Sequence, residues 1–258
     1  MSPEDLNIIS LAISIIILGY SAWSDFKTRE VSDRVWIIYL PISSILLSLR
    51  LVSNPQLIHI YAASIIITVG ISILMFQTGL FGGADLKALI CLSVALPTHP
   101  TPNRALVPPV NPIFPLTVLY NAYLLSLSVI VYVLAKNLEW RLVKKKSLFN
   151  ITMKMPTWTL LLTILTGYKT TYKSLREKPY LYPLVEASGN IEGPTWKLKL
   201  FIRAESDRDD LIRRLGETQN NEEVWVTPGI PLLVYLLVAV ISCTFAGDLF
   251  QLIIFNAL

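Results

Sequence analysis

The sequence predicts a mainly α-helical membrane protein: six transmembrane helices, with a small cytoplasmic α/β insert before the last. Three observations carry that expectation. The chain is 53% hydrophobic and 16% charged, with a mean hydropathy of +0.55, more apolar than a water-soluble domain sustains. Six segments approach the roughly 20 apolar residues that a helix needs to cross hydrocarbon. Most of the charge is gathered into one stretch, 137–228, between the fifth and sixth of these segments.

The first span runs from about Leu6 to Ser24. Glu4 and Asp5 precede it where a secretory signal would carry basic residues, and Tyr20-Ser21-Ala22-Trp23 is a poor cleavage site, so a retained helix is expected. The second and third spans cover Val35–Val52 and Leu57–Phe76. The fourth, Leu86–Leu96, is short and needs thin bilayer or neighbouring protein around it. A proline-rich loop, 97–115, predicts no regular structure. The fifth and sixth spans cover Leu116–Ala135 and Pro231–Phe255. The expected organisation is therefore 1–136 for five helices, 137–228 for the insert and 229–258 for the last helix.

Within the insert, Met155–Gly167 is too short to span and reads as an interfacial helix, with a re-entrant segment as the alternative. Lys197-Leu198-Lys199-Leu200 alternates and Glu223-Val224-Trp225-Val226 is β-prone, which predicts a small sheet. Between them, Ser206-Asp207-Arg208-Asp209-Asp210 opens a helix that ends at Arg213, Arg214 and Gly216; acids first and bases last match the helix dipole.

Lysines and arginines set the topology. Lys27, Arg29, Arg34 and Lys87 lie in loops on one side, with Lys136, Arg141 and Lys144-Lys145-Lys146 after the fifth span. The other loops offer Arg50 and Arg104. The N-terminus is thus expected outside, with the insert at the cytoplasmic face. A net charge of +4 is too modest to imply a nucleic-acid partner. Cys91 and Cys243 sit inside apolar runs and read as packing residues, while His59 and His99 fall toward the outer side. No metal or cofactor is expected.

Two acids stand where hydrocarbon makes them costly: Asp25 at the end of the first span, and Asp85 at the mouth of the fourth. The topology puts both at the cytoplasmic edge, which suggests an aspartyl active site. Two neighbouring carboxyl groups share one proton and so supply an acid and a base together. Gly82-Gly83-Ala84, nearly without side chains, would let a substrate backbone approach Asp85. Alternatives remain at this level: Asp25 lies among three acids and three bases in 25–34, and Asp85 would serve as a helix cap. Lys27 and Lys87 are possible supporting residues, though snorkelling anchors are the simpler reading.

Asp25-Phe26-Lys27-Thr28-Arg29-Glu30-Val31-Ser32-Asp33 resembles the first-aspartate segment of the type IV prepilin peptidases, Asp-x5-[Ile/Val]-x-[Asn/Asp]. Gly82-Gly83-Ala84-Asp85-Leu86-Lys87 resembles their Gly-x-Gly-Asp-x-Lys motif, with Ala84 replacing the second glycine. The layout, and the lead-in Trp225-Val226-Thr227-Pro228-Gly229-Ile230-Pro231 to the last span, look like the archaeal preflagellin (prearchaellin) peptidase branch. The resemblance implies Asp25 and Asp85 as the catalytic pair of a membrane aspartyl endopeptidase without a cofactor. It implies archaellin or type IV pilin-like precursors as partners, cut after a short basic signal peptide at the cytoplasmic face. Glu30 and Asp33 could then attract the basic leader, though a solvated charged loop is the simpler reading, and the insert's positive charge suits anionic membrane lipid. The bacterial members resembled here add a cysteine-containing N-terminal region and N-methylation, and neither is expected here.

Two other classes compete. Presenilin and signal-peptide-peptidase relatives also use Gly-x-Gly-Asp but add Pro-Ala-Leu, a tripeptide this sequence lacks. A transporter would place acids near the bilayer midplane, whereas here only Asp248, in the outer half of the last span, departs from the membrane edge. A membrane scaffold would leave both aspartates incidental.

Overall fold

The computed structural model describes residues 3–101, 106, 111–145, 147–148, 156–178, 180–190, 193–198, 212 and 223–257. It divides into two compact units, Met1–Ser126 with Pro231–Leu258, and Leu127–Ile230.

The first unit is a helical bundle of α1 (Pro3–Thr28), α2 (Asp33–Ser53), α3 (Ile58–Gln77), α4 (Gly83–Ala95) and α5 (Phe114–Ser126). Its core joins Leu18, Tyr39, Leu89, Leu92 and Val118 with the small residues Ala22, Ala88, Ala122 and Ala239, which let helices approach closely in lipid. Cys91 and Cys243 are buried in that core, as the apolar runs around them predict.

The helices are inside out relative to a soluble bundle. Serines and threonines are buried (Ser10, Ser14, Ser43, Ser64, Thr68, Ser72), while Ile16 and Ile66 are 70% and 69% exposed. That pattern suits a hydrocarbon solvent, where polar side chains bond across helices. Tyr39 donates to Ser14 Oγ at 2.7 Å and Ser14 to the Ser10 carbonyl at 2.6 Å.

Among the described residues, four helical stretches are long and apolar enough to cross a membrane: Glu4–Thr28, Asp33–Ser53, Pro55–Gln77 and Phe114–Leu142. The sequence expectation of six is met only in part, for physical reasons. The fourth segment is a 13-residue helix, and its residues Ala88, Leu89, Cys91, Leu92, Ser93 and Ala95 are buried by neighbouring helices. The sixth is broken into α9 (Leu232–Phe245) and α10 (Leu249–Ala257). Gly247 takes φ 85°, open chiefly to glycine, and Asp248 Oδ1 restarts the helix by accepting the Gln251 N–H at 3.1 Å. The fifth is among the four: α5 continues as α6 (Ser128–Leu142) through Leu127, which keeps helical angles. That helix runs past the boundary at 136 expected from charge.

Arg50 is a second departure. Counted as a loop cation from sequence, it lies inside α2 and is buried. It donates to the Ala95 carbonyl at the end of α4 (2.5 Å) and to Ser10 Oγ (2.9 Å), joining three helices. Its removal from the loop tally sharpens the charge asymmetry.

The second unit contains α6, α7 (Thr157–Thr166), α8 (Tyr172–Glu177) and five strands: β1 (Tyr168–Thr171), β2 (Leu181–Pro183), β3 (Val185–Asn190), β4 (Gly193–Leu198) and β5 (Glu223–Pro228). One sheet has the order β1-β5-β2, all antiparallel, with Tyr168 opposite Val226 and Leu181 opposite Pro228. β3 and β4 form a separate pair. The two β segments expected to share one sheet thus lie in different ones, because β1 and β2 occupy both edges of β5.

A helix is present where one was expected, as α7. It buries Thr159 and Thr163 and exposes Trp158 and Leu161, the reverse of a soluble amphipathic helix. Asn137 closes its C-terminus by donating to the Ile164 and Gly167 carbonyls at 3.0 and 2.8 Å. Gly167 fits because a Cβ there would lie 2.2 Å from Leu184 and 2.7 Å from the Val226 carbonyl oxygen. The helix expected at Ser206–Gly216 and the pair Lys199-Leu200 lie outside the described residues, as do Lys146 and Arg104.

Candidate active site

The candidate residues come from two helix ends of the first unit. Asp25 lies in the last turn of α1, and hydroxyls on that helix build the exit turn. The Ser24 hydroxyl donates to the Glu30 carbonyl at 2.7 Å, and the Thr28 hydroxyl lies 2.9 Å from the Ser24 carbonyl. Arg29 donates its N–H to the Asp25 carbonyl at 3.0 Å and takes φ 61°, a left-handed conformation uncommon for a residue with a side chain. Ser32 then caps α2 by accepting the Arg34 N–H.

α4 supplies the second aspartate. Gly82 is its N-cap in extended conformation (φ −76°, ψ 165°). The Gly82 N–H donates to Asp85 Oδ2, three residues on, at 3.0 Å. Asp85 is therefore not the N-cap itself, as the sequence left open, but the third residue of the helix, whose carboxylate is held by the N–H of the N-cap Gly82. Gly82 is favoured by close approach, since a Cβ there would lie 3.2 Å from the same oxygen; at Gly83 a Cβ would meet nothing within 4 Å. Ala84 packs against the helical core, a use for its methyl group.

The two ends belong to helices that pack against each other. Asp25 and Asp85 are both half-buried, and Asp85 is within electrostatic range of Asp25 and of the Arg29 guanidinium. Arg29 is also within range of Asp25 itself. From α5, Tyr123 interacts with Asp85, its ring stacked on Phe81 at 6.5 Å. Charge repulsion between close carboxylates favours a single shared proton, which leaves one group as a base and the other as a hydrogen-bond donor.

The supporting lysines separate. Lys27 is exposed, with Nζ 5.1 Å from the Trp23 ring, as suits an interfacial anchor. Lys87 bridges to Asp33 at 2.5 Å. That pair ties the start of α2 to the first turn of α4 and so links the ends of the two motifs. Asp33 and Glu30 are both exposed, and Asp33 is engaged in this bridge.

His59 is exposed. His99 packs edge-on against Phe114 at 5.0 Å, and burial pushes its imidazole down to about 4. Asp248, the acid in the outer half of the last segment, is buried and accepts from the Tyr120 hydroxyl.

Sequence reasoning did not single out Arg29 or Tyr123. Arg29 lies just past the end of α1, in a stretch that carried only the signal of a charged loop. Tyr123 lies far off in sequence and carried none.

A sequence profile of the type IV leader peptidase family matches residues 12–135, and one of the archaeal peptidase A24 C-terminus, type II, matches 159–249. The chain is 28% identical to a preflagellin peptidase of Methanocaldococcus jannaschii over 94% of each chain. It is 27% identical to a preflagellin peptidase of Methanococcus voltae, over 93% of this chain and 96% of the relative. A preflagellin peptidase of Methanococcus maripaludis is 25% identical over the same shares.

Proposed function

The chain belongs to the type IV leader peptidase family, and from that premise we propose that it is a membrane aspartyl endopeptidase that removes the signal peptide from preflagellin-type precursors. The observation that supports the reading is the placement of Asp25 in the last turn of α1 and Asp85 in the first turn of α4, two helices that pack in one unit. In the resting enzyme the pair holds one proton. The ionised carboxylate takes a proton from water as it attacks the peptide carbonyl, and the protonated partner donates a hydrogen bond to the carbonyl oxygen. Collapse of the tetrahedral intermediate passes a proton to the leaving amine. Gly82 aims the Asp85 carboxylate, and open space beside Gly83 leaves room for a substrate backbone.

The orientation follows from charge: N-terminus outside, both aspartates and the insert at the cytoplasmic face. α4, screened by its neighbours, and the broken α9–α10 segment would complete six crossings. Peptidase activity without N-methylation is the reading for this chain.

Incubating the detergent-solubilised protein with a preflagellin-type precursor tests the function. The expected product has lost its basic leader by cleavage just before the hydrophobic segment, as read by mass. An intact precursor beside folded protein would remove the reading.

A further inference from the structure

We propose that Lys87 and Asp33 are positioning residues of the aspartate site: their bridge fixes the start of α4, and Asp85 with it, against the segment that runs from Asp25 into α2. The inference rests on the peptidase reading of the site.

The contacts form an unbroken chain from one aspartate to the other. The turn that leaves Asp25 is held by the Arg29 N–H on the Asp25 carbonyl, at 3.0 Å, and by the Ser24 and Thr28 hydroxyls on the Glu30 carbonyl, at 2.7 and 3.1 Å. Ser32 then caps α2 through the Arg34 N–H, and Asp33 is the first residue of that helix. Asp33 Oδ1 lies 2.5 Å from Lys87 Nζ. Lys87 stands just beyond Asp85 on α4, and the Asp85 carboxylate is held by the Gly82 N–H. Residues two apart on a helix do not share a face, so Lys87 reaches α2 while Asp85 turns back to its own N-cap.

The covalent lead-in to α4 does little to set where the helix begins. Gly79 takes φ 78°, and a Cβ at Gly83 would meet nothing within 4 Å, so backbone freedom is wide on both sides of Gly82. A tie from outside the lead-in supplies what it lacks. The bridge adds little to stability, because its side chains are 42% and 69% exposed and exposed ion pairs are weak. Its leverage is on placement, to which reaction rates are far more sensitive than folding is.

The test compares the full-length wild type with Asp33→Ala, Lys87→Met, the double variant and Lys87→Arg, by cleavage of a preflagellin-type precursor and thermal unfolding in detergent. Each single variant should lose about tenfold in kcat with little change in KM, and the double should lose no more than either single, because all three cut the same tie. Lys87→Arg should stay within about threefold of wild type, since a guanidinium also pairs with a carboxylate. All the variants should unfold close to the wild-type temperature. Wild-type kcat in either single variant overturns the inference, as do losses that multiply in the double. A loss in Lys87→Met alone would assign Lys87 directly to Asp85, and a raised KM in Asp33→Ala alone would assign Asp33 to the basic leader; either result overturns the bridge. An activity loss matched by early unfolding also overturns it, by making the pair part of the fold. A wild type that cleaves no precursor overturns the peptidase reading itself, and this inference with it.

Discussion

Single residues divide by whether their cost is visible in the sequence. Asp25 and Asp85 were legible because a carboxylate at the hydrocarbon edge needs a reason. Arg29 reads in sequence as a loop cation, because a guanidinium in a short charged loop looks like any solvated cation. Gly82 and Gly83 look alike in sequence but separate in the structure: a Cβ presses on Asp85 Oδ2 at the first and meets open space at the second. Gly82→Ala should therefore lower kcat by about tenfold with the fold intact, while Gly83→Ala should stay within about twofold, both read from precursor cleavage. His99 carries a pH prediction of a different kind. Buried and neutral, it sits at about 4 against an ordinary 6.5. The unfolded chain then binds the extra proton, so stability is full above 6.5 and falls as pH drops toward 4. Unfolding midpoints in detergent should show that decline, and His99→Gln should flatten it.

At the scale of elements, uninterrupted apolar runs placed α1, α2 and α3 within a few residues of their observed ends. The break was harder. A two-residue signal, Gly247 with Asp248, stops and restarts the last segment, while window hydropathy passes over it. β1 and β2 are four and three residues long, too short to display an alternation. Arg50 shows why charge near a predicted span end misleads: its guanidinium turns inward to the end of α4. Arg50→Met leaves the Ala95 carbonyl and the Ser10 hydroxyl without that donor, and should destabilise the bundle by about 2 kcal/mol in equilibrium unfolding. The Lys87–Asp33 bridge is the contrast. Its side chains are 42% and 69% exposed, so Asp33→Asn should cost less than about 1 kcal/mol. In the insert, Gly167→Ala forces a clash with Leu184 and the Val226 carbonyl, and should cost about 2 kcal/mol or more.

For the whole molecule, outward isoleucines and inward serines match a hydrocarbon solvent, and the distribution of lysine and arginine carries the proposed orientation. Both cysteines are buried, so single-cysteine labelling can test orientation in intact cells. A cysteine at Ser32 should stay unlabelled by a membrane-impermeant maleimide until the cells are opened, and one at Asn54 should label at once; the reverse pattern would invert the topology. The central claim concerns the two aspartates as one unit. The direct measurement is kcat/KM on a preflagellin-type precursor for Asp25→Asn, Asp85→Asn and the double variant, each verified as folded. Groups acting together are strongly non-additive, so each single variant should lose about as much activity as the double. Substantial cleavage by either single variant, or losses that simply multiply in the double, would contradict a shared aspartyl mechanism.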